Sequence, residues 1–207
     1  MRLLFIRHGE TTDNAAGKIS SHAPGPALTA KGETQARAVV PALVKMEIAA
    51  IYASTLPRAQ QSAQPLAQAL NQEVKIVEGI QEINAGELEG RADQEGLMGY
   101  VGPMMQWRKD PFARIQGGEN GVEFLTRFDR AIAQIEAQHE EDHTAVIFGH
   151  GAAIRVWTAG RAANIDAKST PTTELPSAGM IVMTGSFREG WTMESWPSLV
   201  EKELSHD

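Results

Sequence analysis

No cysteine occurs in the 207 residues of the chain. That excludes a disulfide framework, a thiolate nucleophile and a thiolate metal site, and it removes any redox signature of the compartment. Long apolar runs are missing too, so no segment reads as a membrane-crossing helix. The first residues, Met1-Arg2-Leu3-Leu4-Phe5-Ile6-Arg7, meet charge too early for the apolar region of a signal peptide, and a cytoplasmic location is expected. Net positive charge is absent: the formal charge is −7, which disfavours nucleic acid or an anionic membrane as the main partner. An anionic small molecule stays open, because a local cluster of Arg and His overrides the mean field. No compact His/Asp spacing points to a metal, no linker divides the chain, and no solenoid repeat recurs. The remaining composition, 42% apolar and 22% charged, is that of a globular protein, and one domain over residues 1–207 is expected.

A short apolar run, Leu3-Leu4-Phe5-Ile6, ends on Arg7-His8-Gly9. Its length and the turn former behind it predict a buried strand. Ligands of open α/β sheets bind beyond the carboxyl ends of strands, where Arg7 and His8 fall. Thr144 to Phe148 repeats the design and ends on Gly149-His150-Gly151. Ile48 to Ala53 and Val74 to Val77 read as further strands, and Met180 to Met183 and Trp191 to Ser195 as strands at a sheet edge. Thr29 is a candidate N-cap for a helix whose apolar stripe is interrupted at Pro41. Pro57 opens a second helix with Arg58 in its first turn; a cation there has the wrong sign for the helix dipole, so an anionic companion is expected. Helices also read over Glu123 to His139 and Ala152 to Ala163. Residues 11–26 form a long polar loop carrying Asn14, Ser20 and Ser21. Residues 80–90 mix Glu82, Glu87 and Glu89 with glycines, and residues 91–118 read as irregular. Alternating strands and helices predict an α/β fold: a three-layer sandwich around a mostly parallel mixed sheet.

Two strands ending in His-Gly and a helix opening on Arg58 converge on one end of that sheet. Arg7, His8, Arg58 and His150 together suit a tetrahedral oxyanion, since the guanidinium fork matches phosphate oxygens. A histidine can attack phosphorus and split the reaction in two, and a carboxylic acid over the site can protonate the leaving oxygen. From residue types alone, Glu82, Glu87 and Glu89 are open between a general acid, a metal ligand and solvated charge.

In order along the chain, several segments resemble the histidine phosphatase superfamily, which includes the cofactor-dependent phosphoglycerate mutases. They are Arg7-His8-Gly9-Glu10-Thr11 with Asn14, Leu28 to Ala36, Ser54 to Ala63, Glu82 with Gly86, Glu89 and Gly90, Gly117 to Asn120, and Gly149-His150-Gly151 with Ile154-Arg155. The resemblance implies a phosphoglycerate mutase-like fold, with His8 as a nucleophile that becomes phosphohistidine. It implies that Arg7, Arg58 and His150 bind the phosphoryl group and that Glu82, which alone matches the family's acid, donates the proton. Asn14 and Gly151 then line the substrate site, and Ser20 with Ser21 stands where the family has a Thr-Gly pair, a departure. No metal and no cofactor are implied. His22 and His143 fall in no motif and read as surface residues.

The resembling mutases carry a longer excursion than residues 90–117 supply here. A short one lets water reach a phosphohistidine, so a phosphomonoesterase for a small phosphorylated metabolite is expected. The alternatives are a phosphoglycerate mutase-type phosphoryl transfer and a phosphate-recognising module with little turnover. Met98, Met104, Met105, Trp107 and Phe112 suggest a leaving group with apolar surface, and Trp191 with Trp196 suggests a homodimer contact on an edge strand.

Overall fold

The computed structural model describes residues 1–165 and 174–195. A six-stranded sheet runs through it: β1 (Arg2–Arg7), β2 (Ala50–Ser54), β3 (Val74–Val77), β4 (Thr144–Gly149), β5 (Met180–Ser186) and β6 (Gly190–Ser195). Their spatial order is β3-β2-β4-β1-β5-β6, the first four mutually parallel, β5 antiparallel to β1 and β6 antiparallel to β5. The helices are α1 (Thr12–Ala15), α2 (Ala30–Ala38), α3 (Val40–Leu43), α4 (Pro57–Leu70), α5 (Gln94–Gln106), α6 (Gly121–Glu136) and α7 (Gly151–Arg161). Thr29 caps α2 by accepting from the Gly32 amide, and the chain breaks into a new short helix at Val40-Pro41.

The opening run is apolar without alternation because both faces of β1 are covered. Leu3 and Phe5 pack with Tyr52 and Ile147 against Phe124, Phe128 and Ile132 of α6 and Trp157 of α7. Leu4 and Ile6 face the other way, with Ile51 and Phe148, against Ala59, Ala63 and Leu66 of α4. Burying each such side chain contributes roughly 1.5–3 kcal/mol.

Two expectations are corrected. Residues 94–106 form α5 rather than irregular chain. Asp93 caps it at the Gly96 amide, and Tyr100 anchors it by donating to the Ile83 carbonyl at 2.8 Å. Its glycines and Pro103 carry no helical stripe, so the periodicity is silent there. Trp191 is 2% exposed and packs edge-to-face on Trp157, so it belongs to the core and offers no dimer surface. Trp196 lies outside the described residues. No helix among the described residues is long and apolar enough to cross a membrane.

Candidate active site

Register does the first part of the assembly. β1 and β4 are adjacent and parallel with Arg7 opposite Gly149, so the two His-Gly turns leave the sheet side by side. The His8 amide donates to the Gly149 carbonyl at 2.9 Å, and the two imidazole centroids are 5.2 Å apart. Gly9 is required by proximity: a Cβ there would meet the Gly32 carbonyl oxygen at 2.3 Å. The second motif of the sequence is thus the seat for the first.

His8 is buried and held at both ring nitrogens. Nδ1 lies 2.7 Å from the Gly9 carbonyl oxygen, and Arg58 Nε donates to Nε2 at 3.2 Å. Burial above all, then the charge of Arg58, lowers its pKa from 6.5 to about 3. Arg58 is 1% exposed. Its Nη2 donates to the Ser20 carbonyl at 3.0 Å, and burial pulls its pKa down against the opposing charges of Glu82, Glu89 and Asp13. Those carboxylates are the anionic companions that its place in the first turn of α4 demanded. Arg7 Nη1 is clamped by Glu174 at 2.6 Å and the Leu175 carbonyl at 2.5 Å, on the segment that leads into β5. A Cβ on Gly151 would come within 3.1 Å of Arg7 Nε.

His150 is wholly buried and pairs through Nε2 with the Ser54 hydroxyl at 2.7 Å, the hydroxyl coming from the carboxyl end of β2. Burial first, then Arg58 and His8, holds its pKa well below the ordinary value. It starts α7 without capping it. The cap comes from Glu82, whose Oε1 accepts from Ala153 at 2.8 Å and Oε2 from Ala152 at 3.1 Å. A carboxylate at a helix N-terminus satisfies orphan amides and suits the dipole.

The other predicted residues take different places. Asn14 Oδ1 accepts from Thr11 and closes the capping box of α1. Ser20 contributes its carbonyl to Arg58. The Ser21 hydroxyl donates to Glu89 at 2.7 Å and accepts from the Ala85 amide, which ties the 20s loop to the 80s loop. Glu87 accepts from Gln116 at 2.6 Å. Among the described residues, no group of three His, Asp or Glu side chains could hold a metal ion.

One arginine beside the site escaped the sequence analysis, and another was named there only as part of a motif. Arg127 of α6 donates to the carbonyls of Gly79, Gln81 and Glu82 and pairs with Glu119, fixing the strand of chain that carries Glu82. Its only sequence signal was Glu119 in the Gly117 to Asn120 segment. Arg155, one turn into α7, feels Glu174, Arg7 and Glu82 after its own burial. Arg7 Nε, Arg58 Nη1, His150 Nδ1 and Arg155 Nε are buried without a partner among the described residues. Groups of this kind call for an explanation. Three of them lie on residues gathered around His8, and together they suit the oxygens of a tetrahedral anion.

The chain is similar to known proteins. A family model described as "Histidine phosphatase superfamily (branch 1)" matches residues 3–198. The PE-PGRS family protein PE_PGRS11 of Mycobacterium tuberculosis is 32% identical over 94% of this chain, and the chain spans only 36% of that relative's length. Glucosyl-3-phosphoglycerate phosphatase of the same species is 26% identical, covering 94% of this chain and 85% of its own. The solved mycobacterial glucosyl-3-phosphoglycerate phosphatase with VO3 superposes at a TM-score of 0.80 with 24% identity, over 95% of this chain and 98% of that one, a likeness of fold. Further relatives are named phosphoserine phosphatase 1, adenosylcobalamin/alpha-ribazole phosphatase and probable phosphoglycerate mutase. On the family match along nearly its whole length, the chain belongs to the histidine phosphatase superfamily, branch 1.

Proposed function

We propose that the protein is a phosphomonoesterase that works without a metal ion and carries the phosphoryl group of a small phosphorylated metabolite on His8 Nε2. The double constraint on the His8 ring carries this reading. A carbonyl only accepts and a guanidinium only donates, so the neutral ring bears its proton on Nδ1 and keeps the lone pair on Nε2. With its pKa lowered to about 3, the imidazole is unprotonated at ordinary pH, and attack on phosphorus takes the Nε2 lone pair from its hydrogen bond with Arg58 Nε.

The Nε2 lone pair attacks phosphorus and the ester P–O bond breaks. The electron pair leaves on the ester oxygen, which takes a proton from Glu82. Oε2 is the oxygen suited to that proton, because Oε1 already accepts from two amides and Oε2 from one. Charge spread over the equatorial oxygens meets Arg7 Nε, Arg58 Nη1 and His150 Nδ1. Preorganised donors of this kind are the main source of acceleration in phosphoryl transfer. Ser54 Oγ already accepts from the Leu56 amide, so its hydroxyl can donate to His150 Nε2 and leave the proton on Nδ1. Water then attacks the phosphohistidine, Glu82 takes its proton, and the P–N pair returns to Nε2.

Relatives named as phosphatases support hydrolysis over phosphoryl transfer between metabolites. The test is p-nitrophenyl phosphate hydrolysis at mildly acidic pH with excess EDTA, for the parent and for His8→Ala. The parent turns over despite chelation, and His8→Ala loses at least about a thousandfold. Activity retained in His8→Ala sinks the nucleophile assignment. An inactive parent favours a mutase with a strict substrate or a phosphate-recognising module.

A further inference from the structure

At the amino end of β4, the segment His139-Glu140-Glu141-Asp142-His143 turns the chain from α6 into the sheet. It lies outside every family motif and at the opposite end of that strand from His150. The turn closes with the His143 amide donating to the Glu140 carbonyl at 3.1 Å. It brings two half-buried imidazoles together, Nδ1 to Nδ1 at 3.3 Å. That separation has a chemical meaning. Two nitrogens on one tetrahedral Zn²⁺, each about 2.0–2.1 Å from the metal, stand about 3.3–3.4 Å apart.

Neither nitrogen is well served by its present partners. The Glu140 amide donates to His143 Nδ1 at 3.3 Å, so that nitrogen holds a lone pair and His139 Nδ1 holds the proton. Both contacts exceed the roughly 2.7–3.2 Å of ordinary N–H hydrogen bonds, so a cation displaces little. The far nitrogen of His139 is already oriented. Its Nε2 lies 2.9 Å from the hydroxyl of Tyr52, a residue of β2 that is 1% exposed. On metal binding the His139 proton moves to Nε2, and the hydroxyl turns from donor to acceptor. A buried partner on the second ring nitrogen is what fixes a ligating imidazole. Lys75 is the nearby cation, its ammonium 5.6 Å from the centre of the Tyr52 ring. The carboxylates of Glu140, Glu141 and Asp142 on the turn outnumber it.

We infer that His139 and His143 form a binding site for a divalent cation that favours imidazole, such as Zn²⁺, each ligating through Nδ1 with water in the remaining positions. Two side-chain ligands make it a weaker site than a closed structural zinc centre. It pins the end of α6 to the start of β4 and, through the His143 carbonyl that accepts from the Arg2 amide at 2.9 Å, to the start of β1. It is independent of the phosphatase reading, and a chelator strips it without touching His8. The test is calorimetric titration with ZnCl₂ of the parent, His139→Ala, His143→Ala, Tyr52→Phe and, as a control, His22→Ala, with circular dichroism confirming that each is folded. One Zn²⁺ binds per parent chain, and binding persists in His22→Ala and in excess Mg²⁺, which favours oxygen ligands. Loss of either imidazole weakens binding at least about a hundredfold, and Tyr52→Phe weakens it about tenfold, the scale of a missing outer partner. A parent that binds no Zn²⁺, binding unmoved in either His139→Ala or His143→Ala, or displacement by Mg²⁺ overturns the inference.

Discussion

Arg58 Nε donates to His8 Nε2 across 3.2 Å, so the guanidinium that grips a phosphoryl oxygen in the proposed reaction also keeps that ring nitrogen unprotonated. The same guanidinium reaches the Ser20 carbonyl with Nη2. Arg58→Lys retains the charge and loses the fork, so one ammonium cannot reproduce both contacts. We expect kcat on p-nitrophenyl phosphate to fall about 10²–10³-fold, the scale of one missing transition-state donor, with an unchanged circular dichroism spectrum. A loss under about tenfold would show that the charge suffices and the fork does not matter.

Stability should carry the signature of the buried imidazoles. His8, His150 and His139 all have lowered pKa values, burial being the leading cause in each. In the unfolded chain they titrate near 6.5. Below that pH the unfolded state binds protons that the native state does not, so stability is full above about 6.5 and declines as pH falls, for His8 until about 3. For His8 alone the loss between pH 7.5 and 5 is about 2 kcal/mol. Urea midpoints of the parent and His8→Gln at the two pH values isolate this share, because every other titrating group is common to both proteins. Equal losses would mean that His8 is not held neutral.

Gly32 is a constraint on the site from outside it. A Cβ there would meet the Glu10 carbonyl oxygen at 2.1 Å, and that atom is backbone on the turn that leaves His8. Gly32→Ala must therefore push α2 away from the turn. It should cost roughly 1–3 kcal/mol as overpacking and lower turnover by moving Gly9 against the His8 ring. Unchanged stability in denaturant titration would show that α2 is free to shift.

The parts legible in the chain were those written in contiguous residues. Strand, His, Gly appears twice, and parallel pairing of β1 with β4 turns two local patterns into one site. Thr29 and Pro57 announced their helices by capping chemistry that acts within one turn. α5 was not legible, because its anchor is Tyr100 on the Ile83 carbonyl and its sequence is broken by glycines and a proline. Trp191 read as an edge residue because its strand is one, yet its ring turns inward onto Trp157. Arg127 was invisible for a related reason: an arginine on an amphipathic helix looks solvated until the carbonyls of residues 79–82 are seen to converge on it.

Glu82 is where fold and chemistry are hardest to separate, since its carboxylate caps α7 and is the proton donor of the proposed reaction. Glu82→Gln distinguishes the two. A glutamine keeps one oxygen for the amides of Ile83 and Ala153 and turns its NH₂ toward the Ala152 N–H, so one capping bond is lost, at about 1 kcal/mol. The catalytic loss depends on the ester. p-Nitrophenolate departs without a proton, so single-turnover transfer of phosphoryl from that ester to His8 should slow less than about tenfold, while the same transfer from an alkyl phosphate should slow about 10²–10⁴-fold. A purely structural Glu82 would lower both alike. In that event the acid would have to be sought at Glu89 or Glu87, which are held on Ser21 and Gln116 and would need to leave those partners to reach the ester.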